Sequence, residues 1–187
     1  MVFSLLLLAA IFVPSAAHAG SGMLGLYDDQ AGTNCGISVV PVGIEQVFVV
    51  HSRFDQATAA RFSAPKPACW ANAIRVSDVT RWPISVGNSQ TGVVVPYGVC
   101  ETSTVFVMII QYVVLAPPLQ ACCPYPVLPD PAASSGQIEI ADCEDNVLFA
   151  AGAAAIVNPN TTCPCVSPPV PVEATAWGRV KSLYASE

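Results

Sequence analysis

The sequence predicts an all-β fold, an antiparallel β-sandwich followed by a short C-terminal helix. Three observations carry this. Val, Ile, Phe, Thr and Tyr gather in short runs, as half-buried strands require. Gly, Pro, Asn, Asp and Ser separate those runs. No stretch before Val166 has a helical period with caps, so no helices interleave to make a parallel sheet.

Taken in order, the expected strands are "MLGLY" (23–27), "CGISVV" (35–40), "EQVFVVHS" (45–52) and "ARFSA" (60–64). "ANAIRVS" (71–77), "WPISVG" (82–87) and "TGVVVPYG" (91–98) follow. The long strand of residues 104–115 contains "VFVMII", which does not alternate and is expected to be buried on both faces. "GQIEIAD" (136–142) alternates cleanly, so one of its faces is wet. Two short runs within 147–158 complete the set. "GNSQTG" (87–92) is turn chemistry between two strands. Prolines at 117, 118, 124, 126, 129 and 131 make residues 116–135 a long irregular crossover, with Cys122 and Cys123 tying it down.

The first 19 residues read as a secretory signal peptide. An apolar core from Val2 to Val13 is followed by Pro14 and the small-residue site Ala17-His18-Ala19, with cleavage expected before Gly20. The rival reading is an uncleaved anchor. The apolar run is short for a bilayer span, which takes about 20 residues. The rest divides into a disulfide-stapled sandwich, 20–165, and a proline-rich spacer with a short amphipathic helix, 166–187. The expected location is secreted or at the cell surface, with no membrane span after cleavage.

Thirteen acidic and seven basic residues give a net charge of −6, and the basic ones form no cluster. Nucleic acid and anionic membranes both need clustered Lys and Arg, so both are excluded as partners.

Eight cysteines lie behind the signal peptide: Cys35, Cys69, Cys100, Cys122, Cys123, Cys143, Cys163 and Cys165. An even count in an exported chain reads as disulfides. The rival reading is a soft metal ion at Cys122-Cys123 and Cys163-Pro164-Cys165, but these spacings do not suit structural zinc. Eight cysteines allow 105 connectivities. In extended chain the side chains of Cys122 and Cys123 point to opposite faces, so each should find a distant partner. Strands alternating up and down from Gln46 onward bring Cys100 and Cys143 to one end of the domain, which makes them the favoured pair. Cys100 and Cys122 fall at opposite ends and should not pair.

Catalytic signatures are absent. His51 is the only histidine after residue 19, and no nucleophile motif accompanies it. A hydrolase is therefore the least favoured function, and the chain is expected not to be an enzyme. Asp28-Asp29 and the cluster Asp142, Glu144 and Asp145 sit at turns, where acids normally bond the local backbone. No cofactor is expected. Asp142, Glu144 and Asp145 remain weak calcium candidates, since hard oxygen ligands from loops suit Ca²⁺. Trp70, Trp82, Tyr97, Tyr112 and Tyr125 either form a platform for sugar rings or fill the core.

After Cys165, "VSPPVPV" (166–172) should be extended polyproline II. "EATAWGRVKSLY" (173–184) has helical spacing, with Trp177, Val180, Lys181 and Tyr184 on one face. So short a helix is marginal alone. It needs a surface, either the sandwich itself or another molecule, and those four residues are the candidate binding residues.

The ending W-G-R-V-K-S-L-Y resembles the terminal W-G-x-[VI]-K-x-L-Y of uncharacterised secreted bacterial proteins. "ATAARFSAP", "NSQTGVVVPYGVC", "CCPYPVLPDP" and "GQIEIADC" extend that resemblance over most of the mature chain. More distantly, the strand pattern is similar to cohesin-type and immunoglobulin-like surface modules. The resemblance implies a non-catalytic structural or binding module acting through protein–protein contacts. The expected partner is another envelope or extracellular protein, self-assembly included. A carbohydrate-binding module, with glycan as ligand, is the alternative.

Overall fold

The computed structural model describes residues 21–39, 42–116 and 120–166. Twelve strands lie among them. They are β1 (Met23–Tyr27), β2 (Gly36–Ile37), β3 (Gly43–Ser52), β4 (Ala57–Phe62), β5 (Ala73–Thr80) and β6 (Val86–Asn88). The others are β7 (Gly92–Glu101), β8 (Val105–Val114), β9 (Cys123–Pro126), β10 (Ile138–Ala141), β11 (Val147–Gly152) and β12 (Ala154–Val157). One 3₁₀ turn spans Ala68–Trp70, and no α-helix occurs among the described residues. The expected signal peptide and the expected tail helix lie outside them.

Nine strands form one sheet in the order β5-β8-β3-β1-β11-β10-β4-β7-β6, and three form another, β2-β12-β9. The nine-stranded sheet folds over on itself at its middle. There β1 and β11 share only the pairs Met23 with Ala151 and Leu24 with Gly152. One core draws on both halves: Leu24, Val49 and Ile110 from one, Phe62, Val95 and Ile140 from the other. Alternation makes this possible, since each of these strands turns every second side chain inward.

Two pairings depart from the purely antiparallel expectation. β1 runs parallel to β11, and β2 parallel to β12. Parallel neighbours need long crossovers, and here almost the whole domain separates the paired strands. The first strands of the chain are thus completed by the last ones. Gly152 lies at the handover from β11 to β12, where a Cβ would stand 2.4 Å from the Val127 carbonyl oxygen.

β8 is not buried on both faces. Val105 and Val107 point inward, then Met108, Ile110, Tyr112 and Val114 do, while Phe106, Ile109 and Val113 are half-buried on the outer face. A bulge opposite Val49 and Val50 shifts the phase between Val107 and Met108. The bulge, not double burial, breaks the alternation of "VFVMII". The crossover 116–135 is also more regular than expected, because β9 lies inside it. Pro124 and Pro126 are tolerated there because β9 is the edge of its sheet. Of the described part of the run 35–40, which ends at residue 39, only Gly36–Ile37 is strand, and of 82–87 only the end enters β6, beyond Pro83.

All eight cysteines are paired: Cys100 with Cys143, Cys69 with Cys123, Cys122 with Cys163 and Cys35 with Cys165. The Cys100–Cys143 bridge joins the ends of β7 and β10, as the up-and-down strand count requires, with Cα atoms 5.5 Å apart. Cys122 and Cys123 find separate, distant partners.

Candidate functional site

β3, β8 and β5 lie side by side, and their outer face is apolar and open. Ile44 of β3 and Ile74 of β5 both pair with Val113 of β8, forming one row across three strands. Phe48, Ile109 and Val79 form a second row. Between them lies an amide and hydroxyl row of Gln46, Gln111 and Ser77, where Ser77 Oγ donates to Gln111 Oε1 at 2.8 Å. Ile44 is 73% exposed, Ile74 56% and Val79 43%. A bulge between Arg75 and Ser77 leaves Val76, 57% exposed, beside them. Exposed apolar groups gathered in this way mark an interaction surface, whereas scattered ones need no explanation.

No charged side chain belongs to these three rows. Arg75 and Asp78 pair instead with the opposite parity of β8, at Tyr112 and Ile110. They are tied to each other, Nη2 to Oδ2 at 2.6 Å, and Asp78 also accepts from the Ser89 amide and hydroxyl. The Asp78 hydrogen bond is the main reason the Arg75 guanidinium is held above its ordinary range.

Toward β1 the same face is covered. Tyr27, Cys35 and Val50 make a small buried cluster, with Phe48 and Cys165 packed against it. The loop between β1 and β2 closes over this cluster. Asp29 shapes the loop by accepting from the Thr33 amide and hydroxyl, each at 3.1 Å, and from the Asn34 amide. Those hydrogen bonds outweigh desolvation and hold its carboxyl below the usual range. Gly32, at φ +70°, presses on Val50, where a Cβ would stand 3.0 Å from Cγ1.

The sequence-derived candidates are placed differently. Trp177, Val180, Lys181 and Tyr184 lie outside the described residues. Among the described residues no group of three or more His, Cys, Asp or Glu could hold a metal ion. Asp142 spends its carboxylate on its own turn: Oδ1 accepts from the Glu144 and Asn146 amides, and Oδ2 from Asn146 Nδ2. The Asn146 side chain is the main cause of its lowered pKa. Asp145, at φ 63°, completes that turn.

The aromatic platform is absent, because its members fill the core. Trp70, Tyr97, Tyr112 and Tyr125 are fully buried, and Trp82 packs against the core with the Arg81 guanidinium 4.0 Å above its ring. His51 is also fully buried. Its Nε2 donates to the Ser21 carbonyl at 2.8 Å, which leaves Nδ1 to accept from the Tyr97 hydroxyl at 3.1 Å. Desolvation lowers its pKa to about 4. A neutral ring with both nitrogens engaged and no path to solvent is a structural group.

On the opposite half of the sheet, Ala59, Ala141, Arg61, Glu139 and Val147 line a shallow groove. Arg61 there is held by Asp130 at 2.7 Å and Glu139 at 3.3 Å, so its charge is already answered.

Ile44, Ile74, Val76, Val79 and Val113 were not legible as site residues in the sequence. In "AIRVSDVT" the residue types at 74 and 76 do not say which face turns inward. Ala73 is the buried one, and the larger apolar residues turn outward.

No family model matches the chain, and no curated protein matches it. Among solved structures it is similar to cohesin modules. One is the cohesin of a cohesin–dockerin complex from Clostridium thermocellum, at 7% identity and a TM-score of 0.47, covering 77% of this chain and 99% of that one. A second is the cohesin module of a glycoside hydrolase from Clostridium perfringens, at 6% identity and a TM-score of 0.46, covering 75% and 99%. A third is the sixth cohesin of a scaffoldin from Acetivibrio cellulolyticus, solved with a dockerin, at 12% identity and a TM-score of 0.45, covering 75% and 99%.

Proposed function

We propose that this chain is an exported, non-catalytic binding module that docks another protein of the cell envelope or its surroundings on the outer face of β3, β8 and β5. One observation carries the reading: Ile44, Val113 and Ile74 form an open apolar row beside Phe48, Ile109 and Val79, with only neutral polar side chains between. A face without charge suits an apolar, uncharged protein segment and offers nothing to a phosphate or an acidic polymer. Gln46 and Gln111 supply amides that fix the orientation of whatever lies across them. The expected signal peptide at 1–19 and the four disulfides support the exported setting.

The test compares two faces. Ile44→Asp/Ile74→Asp alters the proposed face, and Val147→Asp/Phe149→Asp alters exposed apolar residues on the other half. Envelope and culture-medium proteins captured by the mature chain are identified by mass spectrometry, purified and titrated against each variant. A true partner loses about 30-fold or more in affinity for the first variant, the scale of a buried interface anchor, and keeps its affinity for the second. Equal binding to both variants overturns the reading.

A further inference from the structure

The apolar face of β3, β8 and β5 runs without a break into the part that Cys165 covers. Cys165 packs with Phe48 against Tyr27, Cys35 and Val50, and its bridge to Cys35 fixes it there. Phe48 also meets Phe106 of β8 on the open side, with ring centroids 6.0 Å apart. Val166, the last described residue, is 77% exposed. The chain therefore leaves the body at the rim of this face.

Residues 167–187 follow, and they carry their own apolar stripe. Trp177, Val180 and Tyr184 recur at helical spacing. The spacer reaches. At about 3.1 Å per residue, an extended run from Cys165 to Glu173 covers about 25 Å. From Phe48 to the Ile44 row is about 13 Å along β3, and from β3 to β5 about 10 Å across two strand spacings. Each side also lacks what the other offers. A helix this short is marginal without an apolar surface, and among the described residues nothing covers the exposed Ile44 and Ile74 of the face.

We propose that the C-terminal segment 173–184 docks in cis on the outer face of β3, β8 and β5, laying Trp177, Val180 and Tyr184 over Ile44, Val113 and Ile74. The proposal rests on the same face as the function above and adds its regulation: a partner protein reaches the face by displacing the tail. A short tether holds the tail at an effective concentration on the order of 1 mM. A tail with a millimolar dissociation constant then covers the face about half the time, closed to weak encounters and open to a tight partner.

The experiment uses the full mature chain, uniformly labelled at Ile and Val methyl groups, against Trp177→Asp/Val180→Asp. Both changes lie beyond the last disulfide, so the body keeps its staples. The expected result is a set of nuclear Overhauser contacts from the Trp177 ring to the Ile44 and Ile74 methyls. They should be independent of concentration, and absent from the variant. Unchanged face methyl shifts between the two proteins, with no such contacts, overturn the proposal. Contacts seen only between labelled and unlabelled copies in a mixed sample also overturn it, in favour of a tail exchanged between molecules. The captured partner separates this from the function itself. It should bind the tail variant about twofold more tightly and lose Ile44→Asp/Ile74→Asp. If the methyl contacts are missing but that loss persists, the tail proposal falls and the docking function stands. If the methyl contacts are present and the partner ignores Ile44→Asp/Ile74→Asp, the docking function falls alone.

Discussion

His51 of β3 donates from Nε2 to the backbone carbonyl of Ser21, 2.8 Å away, and so ties the start of the described chain to the inside of the sandwich. Ser21 is locked from the other side as well, its hydroxyl donating to the Phe149 carbonyl. Gly22 between them sits at φ +84°, where a Cβ would stand 2.4 Å from the Ser52 carbonyl oxygen. No side chain fits there.

This contact makes stability depend on pH. Burial lowers the His51 pKa from 6.5 to about 4, against a smaller opposing effect of the Ser21 hydrogen bond. Between those values the unfolded chain binds a proton that the folded chain refuses, so stability falls as pH falls from 6.5 toward 4. The full loss is about 3 kcal/mol. Urea unfolding of the mature chain at pH 7 and pH 4.5 measures it. His51→Gln keeps a donor and an acceptor without titrating, and it should flatten this part of the profile.

The four bridges should not contribute equally. Cys35–Cys165 closes a loop with a sequence separation of 130, against 43 for Cys100–Cys143. Chain entropy then favours the former by about 1 kcal/mol, on a base of roughly 2–5 kcal/mol for any one bridge. Paired Cys→Ser variants, unfolded in denaturant, test the order. Alkylation under denaturing conditions followed by mass spectrometry should find no free thiol in the exported protein.

A third expectation concerns a buried hydroxyl chain. Tyr125 donates to the Ala64 carbonyl at 3.0 Å and accepts from Tyr112 at 2.6 Å, while Gln90 Nε2 donates to Tyr112 at 3.3 Å. Burial pushes both phenols above their ordinary range. Tyr125→Phe orphans the buried Tyr112 hydroxyl, while Gln90 Nε2 still donates to the Ala64 carbonyl at 3.1 Å, and it should cost about 2–3 kcal/mol, whereas Tyr112→Phe should cost about 1–2 kcal/mol. A double-mutant cycle in thermal unfolding should show the two changes are not additive.

How far the sequence could be read depended on local signals. β1 is legible to the residue, because "MLGLY" is flanked by glycine and paired aspartates. The Cys100–Cys143 bridge follows from strand direction alone. What escaped was set by distant contacts. The phase shift in β8 comes from a bulge against β3, and no residue of "VFVMII" announces it. β9 hides among prolines because its free edge is decided by the order of its sheet. The docking face escaped for the same reason. An apolar alternation such as Ile74 and Val76 states that two faces differ but not which one turns inward, and Ala73 decides that only through its neighbours in the core.

The pairing of first strands with last ones also sets a timetable. Among the described strands β2 has only β12 as a neighbour in its sheet, and Cys35 has Cys165. In a chain made amino end first, Cys35 appears early and its proper partner last. Cys69, Cys100, Cys122, Cys123, Cys143 and Cys163 all pass it in between. Each is a thiol that can capture it wrongly, and each such mistake is undone only by exchange, over seconds to hours unless an isomerase assists. Output of this protein in a host without disulfide isomerase should therefore be limited by reshuffling rather than by synthesis.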